Sequence, residues 1–423
     1  MQQKIASSLA GAPWLEAKST RAVLDALSAT GHEARIVGGA VRDALLGRPV
    51  REIDVATDAL PDEVERLAHE AGLVSHPTGL AHGTITVVAH GSPFEVTTLR
   101  RDIATDGRRA VVAFTRDWRE DAERRDLTIN AIYCDRHGAL LDPVGGLDDL
   151  ARRRVRFIGD ARQRVREDYL RILRFFRFSA TYADGPFDRV GLAACEAERS
   201  VLASLSAERI RSELLKLLAA PRAGEALDAM EASGILQAIL GRQPDLASVQ
   251  RMIAADRPEA VTDDGRRALV RLAALIGDKA NLSSMANRLR LSNAEHDALA
   301  GILGAAASVA DAPPEGQALR AHVYRHGPCT GADGLRLAFA RSLAPTDDRD
   351  WQAAIAAARA ARPARFPLKG SDLIAAGLPT GPRVGQLLRA IEDRWIAADF
   401  PTDDRWMKEA VLAAVDCSTP KSD

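Results

Sequence analysis

Strand-forming patterns occupy only the first third of this chain and stop near residue 150. Before that point "ARIVGG" (34–39) reads as a strand running into a glycine turn, and "VRDALLG" (41–47) as a short helix closed by Gly47. "REIDVAT" (51–57) is a second strand, and Pro61 opens the helix "PDEVERLAHEAG". "TITVVAH" and "FEVTTL" are strands joined by the hairpin signal "GSP"; "AIYCDRHGALLDP" repeats the pattern with "RHG" at its turn. Beyond residue 150, Leu, Ala and Arg recur at helical spacing to about 415, with breaks at 311–316, 344–348 and 364–370. The pattern predicts an α+β protein, a small α/β head followed by a long all-helical array. At 423 residues the chain is too long for one core, and two to four domains are expected.

Composition narrows the partners. A formal charge of −1 excludes little, but aromatics make up only 4% of the chain. A nucleic acid would therefore be gripped through phosphates and hydrogen bonds, with few stacking platforms. Cys134, Cys195, Cys329 and Cys417 form no CxxC pair, which argues against a zinc ribbon or a disulfide framework. The N-terminal residues lack an apolar core of signal-peptide length, and no run is long enough to span a bilayer. The expectation is a cytoplasmic protein with no membrane association and no protein partner implied. Between 152 and 177 lie ten arginines, opposed within that segment only by Asp160, Glu167 and Asp168. Arginine's planar fork suits phosphates and bases, although a solvated helical face accounts for the same composition.

Four constellations carry chemistry. In "VGGAVRD" (37–43), Gly38 and Gly39 let a phosphate approach backbone N–H groups at a helix start, and Arg42 could clamp it. On the next strand Glu52 and Asp54 share a face by the period-2 rule, with Ile53 and Val55 turned inward. Glu95 in "FEVTTL" is a third carboxylate. Hard oxygens without nearby Cys or His select Mg²⁺ or Mn²⁺, and three carboxylates beside a glycine turn fit two-metal phosphoryl transfer. Each taken alone could equally be a solvent-facing strand residue. In "ERRDLTINAIY" (123–133), Arg125, Asp126 and Asn130 could bind ribose and phosphate, or Asp126 could simply pair with Arg124 or Arg125. In "REDYLRILRFFRF" (166–178), a continuous helix would make Asp168 and Arg171 i,i+3 neighbours with Arg174 on the same row, Arg177 facing elsewhere. An Asp/Arg pair offers an acceptor beside donors, the complement of the edge that cytosine and adenine share and guanine and uracil lack. A surface ion pair is the plainer alternative.

"VGGAVRDALLG", "IDVAT", "RRDLTINA", "DPVGGLDDL", "REDYLRILRFFRF" and "AERIRSELLKLL" occur in the order found in class II tRNA nucleotidyltransferases and bacterial poly(A) polymerases, and residues 30–220 resemble that family. Residues 366–392 are similar to the tail of the CCA-adding branch, as is 78–109 with "HGT" at 82–84. The resemblance implies an N-terminal segment (1–25), a nucleotidyltransferase head (26–148), a base-recognising neck (149–222), a helical body (223–363) and a tRNA-binding tail (364–423). It implies addition or repair of the 3′-terminal CCA of tRNA from CTP and ATP, with two Mg²⁺ ions. Gly39 and Arg42 would contact the triphosphate, and Glu52, Asp54 and Glu95 would be the catalytic carboxylates, the first two as metal ligands. Arg125, Asp126 and Asn130 would hold ribose and phosphates, and Asp168 and Arg171 would template the base with Arg174 and Arg177 in support. "DPVGGLDDL" would be a hinge and 100–111 a flexible loop tied to adding A. The family has Asp where this chain has Glu52, one methylene longer. Poly(A) synthesis, or RNA binding by a catalytically weakened homologue, are the other readings.

Overall fold

The computed structural model describes residues 6–106, 109–256 and 263–416; Cys417 lies outside them. Two compact units divide the chain, Met1–Gln243 and Pro244–Asp423. The first opens with helices α1 (Pro13–Glu16) and α2 (Lys18–Ser28), followed by strand β1 (Ala34–Val37). Gly38, at φ +76° and ψ −121°, turns the chain into α3 (Gly39–Leu45), a conformation closed to residues with a Cβ. Strand β2 is short, Asp54–Thr57, so Glu52 and Ile53 precede it instead of lying within it. Helix α4 (Pro61–Glu70) starts on its proline, with Asp62 and Glu63 in the first turn and Val64, Leu67 and Ala68 buried.

Strands β3 (Val74–Gly79), β4 (Thr84–Ala89) and β5 (Ser92–Thr98) complete one side of a seven-stranded sheet, ordered β3-β4-β5-β2-β1-β8-β9. The β4–β5 turn falls on His90 and Gly91, both at positive φ, one residue earlier than the "GSP" signal suggests. Strands β6 (Arg100–Asp106) and β7 (Arg109–Phe114) pair as a separate antiparallel ribbon. The expected loop at 100–111 is thus built as a hairpin whose tip, 107–108, lies outside the described residues. Helix α5 (Trp118–Glu123), a turn of 3-10 helix at Thr128–Asn130, and strands β8 (Tyr133–Cys134) and β9 (Leu140–Leu141) finish the sheet.

Helix α6 (Gly146–Ala151) lies in the segment expected to hinge. A Cβ on Gly146 would come within 2.3 Å of the Thr128 carbonyl, so the helix is seated directly on the head. Asp149, fully buried, accepts from Thr128 at 2.6 Å and from Arg154 and Arg156. The junction is packed as core. Helices α7 (Ala161–Glu167), α8 (Leu170–Tyr182), α9 (Arg189–Ala197), α10 (Ala207–Ala219), α11 (Ala223–Ala232) and α12 (Ile235–Leu240) end the unit.

Among the described residues the second unit contains helices and no strand, and its breaks at 311–316, 344–348 and 364–370 fall on the connections between helices, Gly316 and Gly370 each opening the next one. One core, with Phe339 stacked on Trp351, is built largely from the helices Pro328–Arg341 and Arg349–Ala360. Another gathers Trp395, Ile396 and Met407 from the last two helices around Ala321.

Candidate active site

Strand register assembles the acidic row. Along one face of the sheet Ile85, Val96, Val55 and Ile36 stand side by side, each no more than 1% exposed. The adjacent row on the opposite face is Thr86, Glu95 and Asp54, and both carboxylates are open to solvent. β2 and β5 are parallel, and Asp54 stands directly beside Glu95. Two residues along the same face, Ala56 is sealed in a cluster with Ala122 and Ile158. The carboxylates therefore sit where a dry core meets solvent. With Glu52 they line a cavity of about 730 Å³, together with Trp14, Ser19 and Thr20 from the start of the chain. The side chain of Glu52 is exposed and lies outside the ladder, so the shared-strand-face argument holds for Asp54 and Glu95 and not for Glu52.

The electrostatics of this row are unbalanced. Burial of its inner side, then repulsion from Glu95, raises the Asp54 carboxyl above its ordinary range; Arg125 opposes this and Glu52 adds to it. A divalent cation would relieve that repulsion, and the donor set is all hard oxygen, which fits Mg²⁺ or Mn²⁺. Among the described residues no three His, Cys, Asp or Glu side chains are already gathered as a cage. Mg²⁺ commonly binds through one or two carboxylates, completing its shell with water and substrate phosphate.

Beside this row the positive groups are tightly paired. Arg42 is 6% exposed, beneath the glycine turn, and a Cβ on Gly39 would lie 3.6 Å from its Nη2. Its guanidinium donates to Asn130 Oδ1 at 2.5 Å, to both Asp43 oxygens and to the Tyr182 hydroxyl at 2.7 Å. Asn130 Nδ2 in turn donates to Asp126 Oδ1 at 3.0 Å, and Asp126 Oδ2 accepts from Arg174 at 2.6 Å. Asp126 thus pairs with neither Arg124 nor Arg125. Those two share Asp121, which is 1% exposed and also accepts from the Tyr133 hydroxyl at 2.8 Å. Burial alone would push Asp121 up, but Arg125, Arg124 and Tyr133 together hold it down at about 2. Asp126 is likewise driven well below the carboxylate range, its burial outweighed by Arg174 and Asn130.

The helical geometry expected of Asp168 and Arg171 is corrected. Asp168 is not on α8: it ends α7 in extended conformation (φ −152°, ψ 105°), and its Oδ1 accepts from the Leu170 N–H, starting the next helix. The i,i+3 face argument therefore fails. Asp168 Oδ2 is held by Arg209 at 2.7 Å. Arg171 bonds Glu167 at 2.6 Å and the carbonyls of Arg164 and Arg124. Arg177 faces Glu213 at 2.6 Å and lies over Phe178. The arginine-rich segment is no free basic stripe, because Asp126, Asp149, Glu198 and Glu213 arrive from outside it. Sequence reasoning missed Asp121, Arg209, Glu213 and Tyr182. Asp121 lies four residues before Arg125, a legible i,i+4 signal, whereas Arg209 and Glu213, four apart on α10, bond Asp168 and Arg177, partners that spacing does not announce.

Residues 34–156 match the model of the poly A polymerase head domain, and 188–249 that of a probable RNA and SrmB-binding site of polymerase A. The chain is 35% identical over 376 residues to the mitochondrial CCA tRNA nucleotidyltransferase 1 of Danio rerio, covering 86% of this chain and 83% of that one. It is 41% identical over 220 residues to the CCA-adding enzyme of Geobacillus thermodenitrificans, about half of each chain. The Bacillus stearothermophilus CCA-adding enzyme, crystallised in complex with CTP, superposes with a TM-score of 0.76 at 29% identity over 95% of this chain and 98% of the other.

Proposed function

From the chain's membership of the CCA tRNA nucleotidyltransferase family, we propose how its own residues carry out the addition of CCA to tRNA 3′ ends from CTP and ATP. The observation that carries the site reading is the register of β2 on β5, which stands Asp54 beside Glu95 at the rim of the head's core. Asp54 and Glu52 are the residues that would hold divalent cations, with Glu95 completing the acidic wall. Bound there, such cations would lower the pKa of the RNA 3′-hydroxyl and neutralise charge on the departing pyrophosphate.

The remaining work belongs to the protein's fixed dipoles and charges. The backbone N–H groups following Gly38, with the Arg42 guanidinium beneath them, hold the triphosphate. Arg125, Asp126 and Asn130 position ribose and phosphate. Asp168 and Arg171 read the base edge that C and A share, with Arg174 and Arg177 behind them. Neither Asp168 nor Arg171 meets the other in this structure, so each would exchange a partner (Arg209 and Glu167) for the base. The body (223–363) and tail (364–423) would carry the tRNA, read by shape and backbone more than by sequence. A cytoplasmic location is part of the same proposal, and fractionation of tagged full-length protein tests it.

Incubating the protein with tRNA lacking its 3′ end, Mg²⁺, CTP and ATP should yield CCA and stop there. Extension into an A-tract would favour poly(A) synthesis, and bound tRNA with no incorporation would favour a weakened RNA-binding homologue. Because Glu52 is exposed and outside the strand ladder, its extra methylene can be absorbed by rotamer and loop adjustment. Glu52→Asp is therefore expected to change the incorporation rate by less than about tenfold; a displacement of ~1 Å left uncompensated would cost nearer 10²-fold.

A further inference from the structure

The hydrogen bonds around Arg42 form a closed circuit that begins and ends on one helix. From Tyr182 near the end of α8, the path runs to Arg42 (2.7 Å), to Asn130 (2.5 Å), to Asp126 (3.0 Å) and to Arg174 (2.6 Å). Arg174, Phe178 and Tyr182 are spaced i, i+4, i+8, on one face of α8. The rings of Phe178 and Tyr182 stack at 5.6 Å, and Arg174 lies 5.3 Å from the Phe178 ring. Two head arginines also lie over the Tyr182 ring, Arg42 at 4.1 Å and Arg48 at 4.8 Å. Arg48 also donates to the Thr181 carbonyl at 3.0 Å. Arg42, Asn130 and Asp126 are each no more than 7% exposed, so water has little access to replace a lost partner.

We infer that Tyr182 is a positioning residue for nucleotide binding: its hydroxyl and ring hold the Arg42 guanidinium under the glycine turn and tie it to the helix that carries Arg171, Arg174 and Arg177. This rests on the reading of Arg42 as a triphosphate ligand. The physical case is the geometry of the guanidinium. Asp43 holds its Nε and, at 3.3 Å, its Nη2, and Asn130 holds Nη1; Tyr182 adds the shorter bond to Nη2 (2.7 Å) and an aromatic ring 4.1 Å from the guanidinium carbon. Without that ring the fork can tilt away from the turn. Because Asp168 lies outside this circuit and is held by Arg209, loss of Tyr182 should act on the phosphates and spare the choice of base.

The test uses full-length Tyr182→Phe, which keeps the ring and removes the hydroxyl, and Tyr182→Leu, which removes both, with Arg42→Ala as reference. CMP and AMP incorporation are measured on tRNA lacking its 3′ end, with inorganic tripolyphosphate as competitor. In Tyr182→Phe the KM for CTP and for ATP and the Ki of tripolyphosphate should all rise together, by about three- to tenfold. In Tyr182→Leu the rise should be larger, while kcat changes less than KM and the tRNA Kd stays unchanged. An unchanged tripolyphosphate Ki in both variants, with Arg42→Ala raising it, overturns the role of Tyr182. A KM shift for only one of the two nucleotides overturns it too, since that would place Tyr182 on the base side. If Arg42→Ala leaves the Ki unchanged, the Arg42 phosphate reading fails and takes this inference with it.

Discussion

Asp54 and Asp126 are both aspartates of the first unit, and the fold treats their charges in opposite ways. Asp126 is enclosed, and its two oxygens are fully engaged by Asn130, Arg174 and the Leu127 N–H, so its ionised form is strongly favoured. Asp54 faces a cavity, and its partial burial, then Glu95 and Glu52, outweigh the pull of Arg125, so its ionised form is disfavoured. The first arrangement is complete without a ligand. The second leaves the repulsion around Asp54 uncompensated, which is the electrostatic ground for proposing a cation there. Asp126 thus fixes Asn130 and Arg174 in place, while Asp54 is the residue proposed to do chemistry.

The largest expected break in that comparison is in activity. Asp54→Asn removes a charged ligand while keeping the shape, and should lower nucleotide incorporation by about 10²- to 10³-fold with tRNA binding unchanged. A loss of under threefold in a steady-state assay with Mg²⁺ would move Asp54 out of the catalytic set. Next in size is stability. Asp126→Ala leaves the buried Asn130 amide and the partly exposed Arg174 without their acceptor and should loosen the contact between α8 and the sheet by roughly 1–3 kcal/mol, the usual cost of an unsatisfied buried polar group. Hydrogen exchange of the α8 amides would show it as lost protection.

The smallest effect sharpens the contrast most. A carboxyl whose folded pKa is raised binds more protons folded than unfolded, so its contribution to stability falls as pH rises above the ordinary value of 3.8. Asp54→Asn should therefore leave stability unchanged below that pH and raise it by less than about 1 kcal/mol at neutral pH, since the group keeps solvent contact. Asp121 behaves oppositely: its contribution is complete above 3.8 and is lost as pH falls toward about 2. Thermal midpoints of Asp54→Asn and Asp121→Asn across pH 3–7 should diverge in sign. Parallel curves would mean that both carboxylates are structural.

Element types were legible because their signals are local. Pro61, the alternation in "TITVVA" and the glycine pair at 38–39 each act over a few residues, and the helices from 150 onward follow from periodicity alone. Where a reading needed continuity it slipped. Residues 51–53 stay out of the strand, and Asp168 caps a new helix where an unbroken one was expected, because one side-chain hydrogen bond suffices to restart the chain there. No local rule announces which of two nearby carbonyl or carboxylate groups a side chain will choose.

By itself the sequence determined the order of motifs, the acidic and basic residue types and the division into an α/β head and a helical remainder, since these depend on spacing along the chain. Only the tertiary structure decided which charges meet. It brought Asp126 to Arg174, 48 residues away, Glu213 to Arg177, and Tyr182 to Arg42 across 140 residues, while among the described residues it set Asp54 beside Glu95 with Glu52 near, carboxylate against carboxylate. Partner choice among charged groups is set by burial and by distances through space, and neither is written in the local pattern.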